Sequence, residues 1–286
     1  EALFRACNTW LGYRRGGLAL ATIGGCGAFA AVCGSSIATA ATMTQVALPE
    51  MKRFNYDYSL ATGSIAAGGT IGILIPPSVI LVLYGILTET NIGELFLAGF
   101  VPGILTIIFF MATISIVTRI FPSIGPRGKK TTLMQKLAAF KDVWGTVILF
   151  VLVIGGIYTG IFSPEEAAGI GATGALALAL LARTMTWSIF IDCLMKTVNT
   201  SAMIFTILIG AILFNNFLVL SAVPDAIGTW IGTLPFSSTV IMLIILLIYL
   251  IMGCALDSLA MILLTIPIFF PVVANLGFDP IWFGII

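Results

Sequence analysis

The chain contains no histidine among its 286 residues. That absence removes imidazole metal sites and histidine proton relays, the side-chain chemistry best placed to switch near neutral pH. Charge is scarce too: 13 Lys and Arg against 12 Asp and Glu amount to 9% of the sequence, with a net charge of +1. No basic stripe or zinc-finger spacing is present, so nucleic acid is excluded as a partner. The five cysteines (Cys7, Cys26, Cys33, Cys193, Cys254) are an odd number set mostly in apolar runs. They predict buried free thiols rather than disulfides or metal ligands, and no cofactor is expected. An initiator methionine and a signal peptide are also missing, and the sequence stops inside an apolar run. It reads as a fragment truncated at both ends.

What is there is apolar. Hydrophobic residues make up 59% of the chain, and the mean hydropathy is +1.15. Stretch after stretch reaches the ~20 residues needed to cross a bilayer, which predicts an all-α polytopic membrane protein embedded in lipid. Within it, Ser36-Ile37-Ala38, Pro49 and Tyr56-Asp57 recur 222 residues later as Ser258-Leu259-Ala260, Pro271 and Phe278-Asp279, with no gap. The first copy carries Lys52-Arg53, where the second has Ala274-Asn275. A duplicated hairpin with basic flanks in one copy and none in the other predicts two halves inserted in opposite orientations, as in secondary transporters.

Keeping the basic residues on one face gives one threading. The segment 17–51 lies between Arg14-Arg15 and Lys52-Arg53, so it enters and leaves by the cytoplasmic side as a helical hairpin. Its uncharged turn at 33–36 suits a re-entrant tip, although two arms of ~17 residues are also compatible with two full crossings. Next come a broken helix at 60–87, an acidic outer loop at 88–94 and a return helix at 95–120, completing a first repeat over 1–121. The cytoplasmic linker, 122–142, carries Arg127, Lys129, Lys130, Lys136 and Lys141. The second repeat, 143–286 and C-terminally incomplete, holds helices at 144–162, 167–182 and 201–223, then a hairpin at 239–273. Ser163 to Glu166 has a helix-start pattern. Residues 187–199 read as a short amphipathic piece with Asp192 and Lys196 paired at i,i+4. Tyr84, Trp144, Trp187, Trp230 and Trp282 read as interfacial anchors. Glu50 and Asp57 read as surface partners of Lys52 and Arg53.

The runs GSSIATAATM (34–43), ALPEM (47–51), AAGGTIGILIPPS (66–78) and FDPIWFG (278–284) resemble the large membrane (M) subunit of tripartite ATP-independent periplasmic (TRAP) transporters. The resemblance implies sodium-coupled import of an organic acid, of C4-dicarboxylate or sialic-acid type, across the bacterial inner membrane. It also implies two partners, a small membrane subunit of Q type and a periplasmic substrate-binding protein of P type, and elevator-type alternating access. A binding-protein-independent sodium/carboxylate symporter of the same superfamily is the alternative.

An anion and a hard cation need different groups at membrane depth. Helix amino ends offer N–H groups to a carboxylate, and unwound carbonyls and hydroxyls offer oxygens to sodium. Candidate substrate-binding residues are therefore Gly34, Ser35, Ser36, Pro76, Pro77 and Ser258. Candidate sodium ligands are Ser36, Thr39, Gly68, Gly69, Thr70, Gly72, Asp257, Ser258 and Thr265, with carbonyls freed around the three glycines and the Ser78 hydroxyl beside them. Asp257 aligns with Ser35 and could cap a helix, bind a second cation or take up a proton. Asn215-Asn216 suit interhelical hydrogen bonds better than ligation. An enzyme is not expected, because Asp257 is the only acid deep in an apolar run and no lysine lies within a predicted span to activate a serine.

Overall fold

The computed structural model describes residues 2–128, 131–141, 143–233 and 235–286. Lys129 and Lys130 lie outside the described residues, as does the side chain of Trp230. Fourteen helices and no strand occur among the described residues. In chain order they are α1 (Ala2–Leu11), α2 (Gly17–Cys33), α3 (Ser36–Arg53), α4 (Tyr58–Leu74), α5 (Val79–Thr88), α6 (Ile92–Ile120), α7 (Leu133–Lys141), α8 (Trp144–Tyr158), α9 (Pro164–Leu181), α10 (Trp187–Leu220), α11 (Val223–Thr233), α12 (Ser238–Gly253), α13 (Ser258–Asn275) and α14 (Pro280–Ile285). Among the described residues α6, α10 and α13 are each long and apolar enough to cross a membrane, and α4 with α5 form one broken pair. The protein is an all-α, multi-pass membrane protein.

The chain divides into two compact units, Glu1–Val79 with Phe96–Leu178, and Ile80–Leu95 with Ala179–Ile286. In the first, α2 is the central element. Leu20, Ala21, Ile23 and Cys26 are buried on it, and α1, α3 and α4 surround it. Its glycines let neighbours close in: a Cβ at Gly27 would reach the Ile107 side chain of α6. In the second unit, buried Tyr84 and Leu95 pack with Ile245, Ile266 and Val273 from α12 and α13, and with Phe283 of α14. Elsewhere large apolar side chains face outward, including Phe109 on α6, Val151 on α8 and Leu213 on α10. Apolar faces of this extent suit contact with lipid.

Local chemistry explains most element boundaries. Ser163 and Glu166 exchange hydrogen bonds, with the Ser163 N–H donating to Glu166 Oε2 (2.9 Å) and the Glu166 N–H donating to Ser163 Oγ (3.2 Å). This capping box starts α9. Thr186 Oγ accepts from the Ile189 N–H at the start of α10. That helix differs from expectation: 187–199 and 201–223 are not two elements but one helix of 34 residues, followed by a separate α11. The polar run Asn199-Thr200-Ser201 contains neither glycine nor proline, so nothing interrupts the backbone hydrogen bonds. Asp192 and Lys196 do pair there, at 2.8 Å.

Other readings also change. Tyr84 is buried rather than interfacial, and its hydroxyl donates to the Pro280 carbonyl (2.5 Å). Cys193 and Cys254 are exposed, while Cys26 is buried. Glu50 does meet Arg53, at 3.8 Å, but Asp57 instead caps α4. Its Oδ1 accepts from both the hydroxyl and the N–H of Ser59, which hold the carboxyl below the ordinary carboxylate range.

Candidate functional site: the hairpin tips and the helix break

In the first unit the tip between α2 and α3 is two residues long. Gly34 ends α2 in the left-handed conformation (φ 62°), with its N–H donated to the Ala30 carbonyl. An L side chain is strained in that conformation, which suits glycine after a helix. Ser35 is extended and its Oγ accepts from the Ala38 N–H, so α3 begins at Ser36 with a capped amino end. Thr39, one turn on, is fully buried, and its hydroxyl donates to the Ser35 carbonyl (2.7 Å). Ser36 is half-buried, and no partner for its hydroxyl occurs among the described residues.

The tip lies against the break between α4 and α5. A Cβ on Gly34 would collide with the Pro77 carbonyl oxygen, and the Val79 N–H donates to the Gly34 carbonyl (3.4 Å). Pro76 is buried and joined to Pro77 by a cis peptide. The two prolines act on specific acceptors. Lacking N–H groups, Pro76 and Pro77 cannot bond the carbonyls four residues earlier, Gly72 and Ile73. Ser78 Oγ takes over at Ile73 (2.5 Å). The Gly72 carbonyl has lost its helical donor.

The structure therefore relocates the freed carbonyls. Gly68, Gly69 and Gly72 all lie within the continuous helix α4, and the unwinding begins only after Leu74. The glycines serve close approach. A Cβ at Gly68 would strike Cys26 Sγ, at Gly69 it would lie 2.8 Å from Ala40 Cβ, and at Gly72 it would lie 2.6 Å from the Ser35 carbonyl and 2.8 Å from Thr39 Oγ1. Gly72 thus brings α4 onto the tip, its missing side chain leaving room for the Ser35 carbonyl and the Thr39 hydroxyl. Thr70 is not part of it. Two residues from Gly72 means about 200° around the helix, and Thr70 is exposed with its hydroxyl donated to the Ala67 carbonyl.

In the second unit the corresponding tip is longer. After α12 the chain makes turns, with the Ala255 and Leu256 N–H groups both donating to Met252 O, before Asp257 caps α13. Asp257 Oδ2 accepts from the Leu259 N–H (3.1 Å), and the residue is exposed. Ser258 opens α13 and is half-buried. Thr265 is buried and occupied: its hydroxyl lies 2.6 Å from Met261 O and 2.7 Å from the Tyr249 hydroxyl. Asn215 is half-buried and Asn216 exposed on α10.

The 222-residue offset governs elements as well as letters. α3 and α13 both run for 18 residues, from Ser36 and Ser258, behind capping residues Ser35 and Asp257. The next helices are capped by Asp57 and Asp279. The Ser78 hydroxyl, expected beside the cation, instead donates to Ile73 O, and sequence reasoning missed Tyr56 as a tether. Tyr56 accepts from the Leu18 N–H (3.1 Å) and donates to the Pro126 carbonyl (2.9 Å), and its counterpart Phe278 cannot. The substitution of Phe for Tyr within the repeat was the available signal.

Residues 1–286 match the family model described as tripartite ATP-independent periplasmic transporter, DctM component. A C4-dicarboxylate TRAP transporter large permease protein from Pseudomonas aeruginosa is 39% identical over 281 residues, covering 98% of this chain and 65% of the relative. The isethionate TRAP transporter permease protein DctMQ of Oleidesulfovibrio alaskensis is 35% identical, with 99% of this chain and 45% of that protein covered. A sialic acid TRAP transporter large permease protein from Vibrio cholerae is 32% identical, with 100% and 66% covered. The chain thus spans less than two thirds of the length of each of these relatives. With the duplicated hairpin, the proline-broken helix and the full-length family match, this chain belongs to the DctM family of tripartite ATP-independent periplasmic transporters.

Proposed function

We propose that this chain forms part of a bacterial inner-membrane permease that imports an organic acid with sodium by alternating access of elevator type. A periplasmic binding protein delivers the acid and a small membrane subunit completes the permease; the relative named DctMQ supports that second partner. The two hairpins are re-entrant and belong to inverted halves. The observation that carries the reading is the first tip. A capped helix amino end at Ser35 and Ser36 and a carbonyl orphaned at Gly72 are held together by glycine contacts too close for any side chain. The amino end offers N–H groups to a carboxylate, and Ser35 O, Ser36 Oγ, Thr39 Oγ1 and Gly72 O offer oxygens to sodium. At the second tip Asp257 caps α13 and adds a negative charge for a second cation. The relatives' names span dicarboxylate, sulfonate and sialic acid. An anionic group is common to all three.

The test uses the full-length subunit reconstituted in vesicles with its small subunit and binding protein. Ser36→Ala and Asp257→Ala should each weaken sodium-dependent uptake by about tenfold, equivalent to about 1.4 kcal/mol, while the complex still assembles. Unchanged sodium dependence in both variants refutes the cation sites. Uptake that persists without the binding protein would instead select the direct symporter.

A further inference from the structure

A cavity of about 610 Å³ in the first unit is lined by Arg14, Arg15, Arg119 and Arg127. The backbone forces two of these charges together. Arg15 and Arg127 oppose each other across an isolated antiparallel bridge, flanked by bonds from the Gly16 N–H to Gly125 O (3.0 Å) and from the Gly128 N–H to Gly12 O (3.1 Å). Like charges directly opposite destabilise such a pair. Glycine makes the approach feasible: Gly16 holds φ 66°, and a Cβ there would lie 2.6 Å from the Thr118 methyl. Among the described residues none of the four arginines meets a carboxylate, the ion pairs there being Glu50–Arg53 and Asp192–Lys196. Four guanidiniums, two of them opposed by the main chain, call for an anion from outside the chain.

We infer that this cavity binds the phosphate of an anionic phospholipid headgroup. Guanidinium forks match phosphate oxygens in bidentate geometry. Exposed Ile116 and Ile120 lie beside Arg119 at the end of α6 and offer an apolar track for acyl chains. Lys136 Nζ stands 5.4 Å from the Trp10 ring and 5.2 Å from the Tyr13 ring, a cluster of the kind found at headgroup level. Arg14 also bonds the Tyr13 hydroxyl and lowers its pKa, a sign of the positive field at the rim. Basic pockets at the ends of spanning helices hold anionic lipids in this way.

The experiment measures lipid retention by native mass spectrometry, and the thermal midpoint, of the full-length subunit in phosphatidylcholine nanodiscs with and without phosphatidylglycerol or cardiolipin. Anionic lipid should be retained and should raise the midpoint. The Arg15→Gln, Arg127→Gln double variant should weaken retention by about 10- to 30-fold. Arg53→Gln, an exposed arginine outside the cavity, should change retention less than twofold. If the double variant fails to fold, Arg14→Gln with Arg119→Gln carries the same expectation. Equal loss in Arg53→Gln would show diffuse attraction and overturn the site. A midpoint shift by inorganic phosphate equal to that by lipid would assign the cavity to a soluble anion and overturn the lipid assignment.

Discussion

Gly34 carries two constraints that a side chain cannot meet together. Its backbone is left-handed at φ 62°, which costs other residues roughly 1–2 kcal/mol, and its missing Cβ makes room for the Pro77 carbonyl. The obstacle is main chain next to buried Pro76, not a side chain that could rotate aside. Gly34→Ala should lower the thermal midpoint of the full-length subunit and abolish uptake. Gly63→Ala, also in the first unit but with nothing within 4 Å of the added methyl, should leave uptake unchanged and stabilise α4 by about 0.5–1 kcal/mol. A wild-type midpoint in Gly34→Ala would show that the tip and the break do not depend on each other. The turn at Gly34 and the helix break at Pro76 and Pro77 were legible in the sequence because each of these residues acts on its own backbone. The role of Gly72 was not. A glycine within a helix leaves every helical hydrogen bond possible, and only the arrival of Ser35 and Thr39 against it shows what the missing side chain is for.

Among the elements, the starts of α3 and α13 were readable to about a residue, because a capping side chain and the N–H it accepts are two or three positions apart, while both helices run two residues past their expected ends at 51 and 273. The length of α10 was not readable. Polar residues at 199–201 resemble a loop in composition, yet a helix ends only where its hydrogen bonds are cut or capped. Tyr84 shows the same limit, since its partner Pro280 is 196 positions away. Tyr56 ties three elements into one corner: the start of α2, the approach to α4, and the segment before α7. Tyr56→Phe keeps the ring and removes both hydrogen bonds, leaving the Leu18 N–H without its acceptor. It should destabilise the full-length subunit by about 1–3 kcal/mol, read as a lower thermal midpoint in detergent. Phe278→Tyr, in the copy that lacks this corner, should not produce a matching gain.

Across the whole molecule, each compact unit contains one copy of the repeated hairpin. The threading proposed from the charge pattern puts the loop after α3 and the loop before α6 on opposite faces of the membrane. Lys52 at the end of α3 and Glu94 in the first turn of α6 are both exposed. Lys52→Cys and Glu94→Cys should therefore react with an impermeant thiol reagent from opposite sides of sealed vesicles, with Cys193 and Cys254 first replaced by serine. Reaction of both from one side would overturn the proposed threading, in which the broken helix between them crosses the membrane. The first tip has one further consequence. Under the proposed function, a recognition surface built largely from peptide groups brought close by glycines offers few positions where a point substitution could redraw what it accepts. Lineages sharing it would be expected to diversify their diets through the protein that hands over the cargo, while this part of the permease stays generic.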